Sequence, residues 1–489
     1  RALHEHGLEY ESLTVCSTPR RAAVSISGLA EIQSESEELV LGPPLRVAYT
    51  AEGKPTPAAE GFARTQGVPM SELFTEKNEK GAYLAVRIRK GGRKAVEILA
   101  ELCPAIISGL SFPKNMRWGS GSFTYARPIH WLVALLDEKI VPFTVAGIDS
   151  GRHSQGHRVH SCGRIEIPSA QEYFNVITKE GAITLSSAER VKRITEEGDR
   201  LARAMNGRIL WNSDLLTEVQ GLSEHPVPLI GGVQRKYLEL PREVLLTSME
   251  THQKCFGVED NDGNLLPHFL TVLNIDPKHM STVKQGWERV LTARLEDARF
   301  FWETDLATSF DDWLKALDDV IFLATLGSMG NKTRRLEKLA HFIACKANHP
   351  KPEEMKRAGR LSKADLVSGM VGEFASLQGI MGSIYAGKKG ESGWVKAALR
   401  EQYMPAGPET PCPATICGAV LSMADKADTM VGCFGLNMVP TGAADPYALR
   451  RCALGIIRII LEFKLRIDLA EFFAEAQDLY GEIQWKLPA

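Results

Sequence analysis

Several features that define whole classes of protein are missing from this chain of 489 residues. No stretch approaches the roughly 18 to 20 consecutive apolar residues that a membrane-spanning helix needs, so no membrane partner is expected. Basic residues do not outnumber acidic ones, with 58 Lys and Arg against 60 Asp and Glu, which excludes a uniformly basic protein that coats nucleic acid. A balanced total still permits a local basic surface, because the sum over a long chain averages it away.

Cysteine patterning excludes two further classes of protein. The chain has nine cysteines, an odd number, scattered without any Cys-x-x-Cys pair. A structural zinc site requires paired spacing, and a disulfide framework is dense in a small secreted chain. We therefore expect reduced thiols and a cytoplasmic location. Because the chain begins with Arg1, we also expect its natural start to lie further upstream.

What is present is the composition of a folded globular protein, 44% hydrophobic and 24% charged. The runs at 21–29 and 82–88 show the period-2 alternation of half-buried strands, and helical periodicity covers 169–205. Helical signals return near Arg289 and dominate the rest, including residues 317–327. We predict an α+β region, then an all-helical domain, then the start of a further helical domain. Their predicted bounds are 1–305, 306–435 and 436–489.

Two glycine-containing stretches look like nucleotide-binding motifs but do not have the spacing that such motifs require. Residues 327–333 contain two glycines and a lysine, but a P-loop has four residues between its glycines and a glycine directly before the lysine. Gly119 and Gly121 lack the third glycine of a dinucleotide fingerprint. We predict a turn between two helices at the first place and a loop at the second. A nucleotide that serves this protein is expected to bind elsewhere.

Positive charge is concentrated in two stretches. Residues 87–94 carry five Lys and Arg, and residues 112–164 carry seven against three Asp and Glu. The second stretch is interleaved with aromatic residues such as Trp118, Tyr125 and Trp131. Local positive charge with aromatic and glycine-rich loops suits a phosphate backbone with unstacked bases. The alternative is a solvated strand edge that its charge protects from aggregation.

Three histidines lie close together at His153, His157 and His160. Their spacing would suit a metal site on a helix, but Gly151 and Gly156 disfavour a helix and the arginines among them repel a cation. We interpret this stretch as a loop that turns over the core or contacts phosphate.

The helical part holds two acidic groups about sixty residues apart, around Asp365 and Asp425. With His341, they would be able to hold a metal that activates water for phosphoester hydrolysis. This arrangement resembles the HD metal-dependent phosphohydrolase superfamily, whose ligands are a His, a His-Asp dyad and a later Asp. Ala364 stands where the dyad histidine would be, and losing one ligand cripples such a site. We interpret the three residues as a degenerate site without metal; the alternative is an active phosphohydrolase that uses them.

Longer motifs resemble one family in particular. Residues 363–386 and 424–457 closely resemble the β subunit of the bacterial tetrameric glycyl-tRNA synthetase. Cys255 stands where the family usually has Tyr and Trp287 where it usually has Asn, and we expect both to be tolerated packing changes. The family's N-terminal opening segment and C-terminal anticodon-binding domain are missing. Further resembling motifs follow in order along the chain at 42–44, 59–68, 112–131, 156–158, 250–256 and 291–305.

The resemblance implies a division of labour between two subunits. In this family the α subunit resembles a class II synthetase core and carries glycine, ATP and Mg, so we expect no catalytic residue, cofactor or metal on this chain. The expected partners are the α subunit, in an α2β2 assembly, and tRNA-Gly. The resemblance also implies that 1–305 is similar to the tRNA-editing-like module of the phenylalanyl-tRNA synthetase large subunit, and that 306–435 is HD-like and followed by further helices.

We expect the basic, aromatic-rich stretch to carry the tRNA contacts. Its arginines and lysine would contact phosphates and its aromatic rings would stack, so that the chain positions tRNA for glycine transfer. The alternative is a scaffold that holds α subunits and touches tRNA little. The predicted tRNA-binding residues are Lys114, Arg117, Trp118, Tyr125, Arg127, Arg152 and Arg158.

Overall fold

The computed structural model describes residues 1–50, 53–78, 81–161, 163–442, 444–481 and 485. The chain divides into two compact units by its contacts. None of the helices in these ranges is long and apolar enough to cross a membrane. The domain bounds predicted at 305 and 435 follow sequence pattern and stay a prediction. Unit 1 comprises residues 1–196, 216–227 and 272–276, and unit 2 comprises 197–215, 228–271 and 277–489.

Unit 1 mixes short strands with helices. Its helices are α1 (Ala2–Glu5), α2 (Leu45–Ala48), α3 (Pro57–Gln66), α4 (Ala95–Gly109), α5 (Tyr173–Lys179) and α6 (Ser187–Arg203, which continues into unit 2). Its strands are β1 (Ser12–Thr18), β2 (Arg21–Ser27), β3 (Ser36–Pro44), β4 (Phe74–Asn78), β5 (Gly81–Lys90), β6 (Met116–Arg117), β7 (Thr124–Tyr125), β8 (Leu132–Val133), β9 (Leu135–Leu136), β10 (Lys139–Ile140), β11 (Thr144–Val145), β12 (Ile148–Gly151), β13 (His153–Gln155) and β14 (Arg164–Glu166).

The strands predicted at 21–29 and 82–88 are confirmed as β2 and β5. Strand β2 pairs antiparallel with β1. Strand β5 is the centre of an antiparallel sheet of order β3-β5-β4. The predicted helical stretch 169–205 is two helices, α5 and α6, because the chain between them includes Ala182 with a left-handed φ of 54°.

A close approach explains two of the motifs in unit 1. Gly42 lies on β3 and faces the ring of Phe62 on α3, and a Cβ at residue 42 would lie 2.7 Å from a ring carbon. A glycine is therefore required where the helix crosses the strand. Helix α3 ends at Gly67, whose φ of 71° is the left-handed conformation that closes many helices.

Unit 2 is mainly helical. Its helices are α7 (Ser213–Leu222, which begins in unit 2 and continues into unit 1), α8 (Arg242–Thr247), α9 (Met280–Ala307), α10 (Phe310–Ala316), α11 (Met329–Lys346), α12 (Pro352–Leu361), α13 (Gly369–Glu373), α14 (Ile380–Lys388), α15 (Gly393–Glu401), α16 (Ile416–Gly435), α17 (Leu449–Glu462) and α18 (Leu469–Asp478). Its strands are β15 (Arg208–Ile209), β16 (Val227–Gly232, whose first residue belongs to unit 1), β17 (Phe256–Glu259), β18 (Leu265–Leu273, whose last two residues belong to unit 1), β19 (Ile321–Leu323) and β20 (Gly327–Ser328).

One core serves the helical part of unit 2. Helices α11, α12, α15 and α16 pack on one another around buried aliphatic side chains such as Leu336, Leu339, Leu361, Leu399 and Leu421. The helix predicted from near Arg289 is confirmed as α9, which begins earlier, at Met280. These helices determine where the charged side chains of α11 and α16 meet.

The helical prediction for residues 317–327 is wrong. Helix α10 ends at Ala316, and β19 pairs antiparallel with β20 instead. Gly327 has a φ of 88°, a conformation that a right-handed helix cannot contain. Helix α11 then begins with a capping box, in which Ser328 Oγ accepts from Asn331 N at 3.1 Å and Asn331 Oδ1 accepts from Ser328 N at 3.0 Å. Residues 327–333 are thus a hairpin end and a helix start.

Candidate nucleic-acid interface and buried charged core

A two-stranded hairpin presents the first predicted tRNA-binding residues in unit 1. Strands β6 and β7 pair through Met116 with Tyr125 and Arg117 with Thr124, and a glycine-containing loop joins them. Arg117 is exposed on the hairpin, and Lys114 and Arg127 are exposed on its two flanks. These three cations are therefore exposed on one short segment, and their contact with tRNA stays a prediction.

The aromatic residues of this segment pack on one another. The ring centroid of Tyr125 lies 4.8 Å from that of Phe112 and 6.1 Å from that of Phe123, and Trp118 contacts Phe123 edge-on at 5.8 Å. Burial raises the pKa of the Tyr125 phenol, so this group is a neutral hydrogen-bonding partner at physiological pH. Trp118 and Tyr125 are each half-buried, so both retain some surface toward solvent.

The charges of this segment are accessible to an outside anion. Within the described ranges, Lys114, Arg117 and Arg127 form no ion pair, and Arg127 donates only to the carbonyl of Ala126 at 2.9 Å. The other basic stretch differs, because Arg93 forms a bidentate pair with Glu101 at 3.0 and 2.5 Å. The side chains of Arg89 and Lys90, also in that stretch, lie outside the described residues.

Two predicted phosphate contacts lie in a loop with a different environment. Arg152 donates to the carbonyls of Pro168 at 3.2 Å and Glu138 at 2.8 Å, so its guanidinium holds neighbouring backbone in place. Arg158 is exposed on the turn that follows Gly156. A Cβ at Gly156 would lie 2.5 Å from the Ser161 carbonyl oxygen, which is why a glycine is needed there. The phosphate role of both arginines stays a prediction.

Two of the three predicted histidines, His157 and His160, stack with a partner that the sequence did not indicate, whereas His153 lies in strand β13. The rings of His157 and His160 are 4.9 Å apart, and His225 lies 4.7 Å from His160. His160 Nε2 accepts a hydrogen bond from Asp276 N at 2.9 Å. Burial and the neighbouring His160 lower the pKa of His157, which favours the neutral ring. These contacts fit the interpretation of a loop that turns over the core.

A buried acid, Glu224, holds Arg21 of strand β2, and sequence reasoning missed it. The Glu224 side chain, 1% exposed, accepts from Thr18 Oγ1 at 2.6 Å and from Arg21 Nε at 3.1 Å. Arg21 also donates to the carbonyl of Gln155 at 3.1 Å. Because Arg21 and Glu224 lie 203 positions apart, no local pattern could have linked them. Arg20 and Arg21 each place the guanidinium 5.7 Å from the centroid of Trp131.

In unit 2, the carboxylate of Asp425 lies between two lysines. Lys332 Nζ is 3.0 Å from Asp425 Oδ1, and Lys363 Nζ is 2.8 Å from Asp425 Oδ2. Asp428, one turn further along α16, contacts Lys332 at 2.9 Å and Arg335 at 2.6 Å. We call these five residues the charged core. Burial alone would raise the pKa of Asp425, but the two ammonium groups outweigh it and hold this pKa well below its usual value.

The structure does not bring the three predicted HD-like residues together as metal ligands. Asp365 Oδ2 accepts from the backbone N–H groups of Gly379 at 2.6 Å and Gly382 at 2.9 Å, and burial raises the pKa of its carboxyl. His341 is 37% exposed and lies 3.1 Å from Glu353. In the part of the chain that is described, no three His, Cys, Asp or Glu side chains are placed to hold a metal ion.

The chemistry of the charged core does not fit a divalent metal. A metal held by Asp425 would have to displace two ammonium groups that already neutralise the carboxylate, and it would meet their positive charge. One signal in the sequence indicates that an ammonium group stands where a metal would bind, namely Lys363, two positions before Asp365. Lys332 gave no such signal, because it lies 93 residues before Asp425.

Comparisons with known proteins agree with the motifs. The glycyl-tRNA synthetase beta subunit family matches residues 1–487. A glycine–tRNA ligase beta subunit from Nitratidesulfovibrio vulgaris (strain Miyazaki F) is 62% identical over 487 residues, which cover 100% of this chain and 70% of the relative. Those from Oleidesulfovibrio alaskensis and Syntrophus aciditrophicus are 59% and 42% identical, and the matches cover 99% and 100% of this chain and 70% and 71% of the relatives.

These matches show that the chain is a subunit of an aminoacyl-tRNA synthetase. More narrowly, the chain belongs to the glycyl-tRNA synthetase beta subunit family. The family that the motifs indicated is therefore confirmed, and an α subunit is the partner that a β subunit implies.

Proposed function

We propose that this chain binds tRNA-Gly and positions it for glycylation by the α subunit, in the cytoplasm and without a catalytic residue of its own. The observation that carries the proposal is the hairpin segment, where Lys114, Arg117 and Arg127 are exposed beside a cluster of aromatic rings and form no ion pair with any described residue. Three exposed cations beside aromatic rings suit the phosphates and the unstacked bases that RNA offers.

The proposal assigns the activation chemistry to the partner. Glycine, ATP and Mg would bind the α subunit, in an α2β2 assembly, and this chain would convert a bimolecular transfer into an oriented one. We further propose that residues 1–305 resemble the tRNA-editing-like module of the phenylalanyl-tRNA synthetase large subunit, and that residues 306–435 are an HD-like domain whose metal site is degenerate. The charged core supports the second assignment, because lysines occupy the carboxylate of Asp425. The same contact argues against an active phosphohydrolase.

A charge-reversal pair tests the tRNA-binding surface. In the full αβ assembly, Arg117→Glu with Arg127→Glu should weaken tRNA-Gly binding, and the slope of log K against log[salt] should fall by roughly 0.7 to 0.9 for each phosphate that the variant no longer binds. The matched control is Arg64→Glu with Lys179→Glu, which makes the same charge change at exposed sites of unit 1 on helices α3 and α5, outside the hairpin segment. Both quantities are measured by titrating labelled tRNA at several salt concentrations.

Two results would contradict the proposal in different ways. Equal affinity and slope for the hairpin pair and the wild type would remove the hairpin from tRNA binding. The scaffold alternative would be favoured if tRNA-Gly bound weakly both to the β subunit alone and to the assembly, and if neither the hairpin variant nor the control variant changed that affinity.

A further inference from the structure

A cavity of about 360 Å³ lies in unit 2, beside the start of helix α11. Helix α11, the β19–β20 turn and the end of α18 form its walls. Among the described residues, three cationic side chains line it and no Asp or Glu does. The lining residues are Thr325, Leu326, Gly327, Asn331, Arg334, Arg335, Lys338, Leu479 and Tyr480.

Arg335 supplies a rigid donor in the wall of this cavity. Its Nε and Nη2 bind the carboxylate of Asp428 at 2.6 and 3.2 Å, and its Cζ lies 3.9 Å from the ring centroid of Tyr480. Within the described residues, the remaining nitrogen, Nη1, donates only to the carbonyl of Leu326 at 3.5 Å, the limit of a hydrogen bond. The guanidinium is thus fixed in orientation and has donor capacity left over.

Two further cations flank the cavity. Lys338 lies one turn beyond Arg334 on α11, is exposed, and has no ion pair or hydrogen bond within the described ranges. Arg334 pairs with Asp318 at 2.6 and 2.7 Å, but both side chains are exposed, so the pair is weak and can be exchanged for a ligand. A planar guanidinium together with a mobile ammonium is the donor set that proteins use for phosphoryl oxygens.

We propose that this cavity binds a phosphate group through Arg334, Arg335 and Lys338. Its volume and the three cationic side chains in its wall suit a phosphate or a diphosphate. The phosphate would come either from an RNA backbone or from a free phosphate compound. The RNA source rests on the proposed function, whereas the free-phosphate source does not.

The first arm of the test measures free phosphate. Inorganic pyrophosphate is titrated calorimetrically into the full-length β subunit without its α partner, so that the site that carries ATP does not contribute. Lys338→Glu should lower pyrophosphate affinity at least tenfold, and Arg334→Ala should lower it severalfold. The control is Lys388→Glu, an equal charge change at an exposed lysine of α14 that does not line the cavity, and it should stay within twofold of wild type.

The second arm measures RNA. In the αβ assembly, the salt slope of tRNA-Gly binding should fall by roughly 0.7 to 0.9 in Lys338→Glu if the phosphate belongs to the RNA backbone. Loss of pyrophosphate affinity with an unchanged slope assigns the cavity to free phosphate. If Lys338→Glu behaves as Lys388→Glu does in both arms, the proposal is overturned. Because the hairpin variants test tRNA binding in unit 1, a failure there leaves the pyrophosphate result standing.

Discussion

Replacing Lys363 by methionine tests whether the charged core contributes to stability. The lysine side chain is 3% exposed, and its ammonium lies 2.8 Å from Asp425 Oδ2 and 3.0 Å from Gln402 Oε1. Methionine keeps most of the apolar stem and removes the charge. Breaking a buried pair from one side costs about 3 to 5 kcal/mol. Asp425 keeps Lys332 and is 15% exposed, so we expect the lower end, about 3 kcal/mol.

The measurement is urea unfolding of the full-length β subunit, arranged as a double-mutant cycle. The variants are Lys363→Met, Asp425→Asn and the two together, with Lys388→Met as an exposed control expected to change stability by less than about 0.5 kcal/mol. Because the double variant leaves neither charge alone, it should recover part of the loss, with a coupling energy of about 1 to 3 kcal/mol. Strict additivity, or a single variant as stable as the control, would refute the reasoning.

Two other predictions follow from buried side chains. Arg190 donates five hydrogen bonds to oxygens, among them the Gln220 carbonyl at 2.9 Å. Arg190→Lys should therefore lower the free energy of unfolding, measured in urea, by about 2 to 4 kcal/mol. Arg193→Lys on the same helix is the control and should leave it unchanged. The pKa of Asp425 is lower in the folded chain than in the unfolded chain, where an aspartate has a pKa near about 4. The charged carboxylate therefore stabilises the fold above about pH 4, and this stabilisation is lost as the pH falls further. Acid should thus lower the free energy of unfolding of the wild type more than that of Asp425→Asn, and equal acid sensitivity would contradict this.

Local pattern was sufficient where a single element decides the structure. Alternation along 21–29 and 82–88 predicted strands β2 and β5, and helical periodicity predicted α9. The helical prediction failed at 317–327, because a short apolar run fits a strand as well as a helix. In addition, Gly327 has a left-handed φ that belongs to the turn and that the apolar pattern does not report.

In the candidate sites, too, contacts within one stretch of sequence were predictable and contacts between distant stretches were not. The hairpin cations were predicted from one continuous stretch, and the structure places them together. The pairing of Lys332 with Asp425, and of Arg21 with Glu224, depends on residues 93 and 203 positions apart. Periodicity cannot report such contacts, since they exist only after the elements have packed. The family motifs include Asp425 and Lys363 without indicating which side chains they contact.

The discontinuity of unit 1 has a consequence for how the chain is made. Its last pieces are residues 216–227 and 272–276, so the ribosome makes residues 1–196 before the segments that complete their unit exist. Until Glu224 emerges, Arg20 and Arg21 have no acid to meet in the site where both will contact it. A chain whose synthesis stops between residues 197 and 223 would therefore hold two cations without their counter-ion, and such a fragment is suited to chaperone capture and proteolysis rather than to folding.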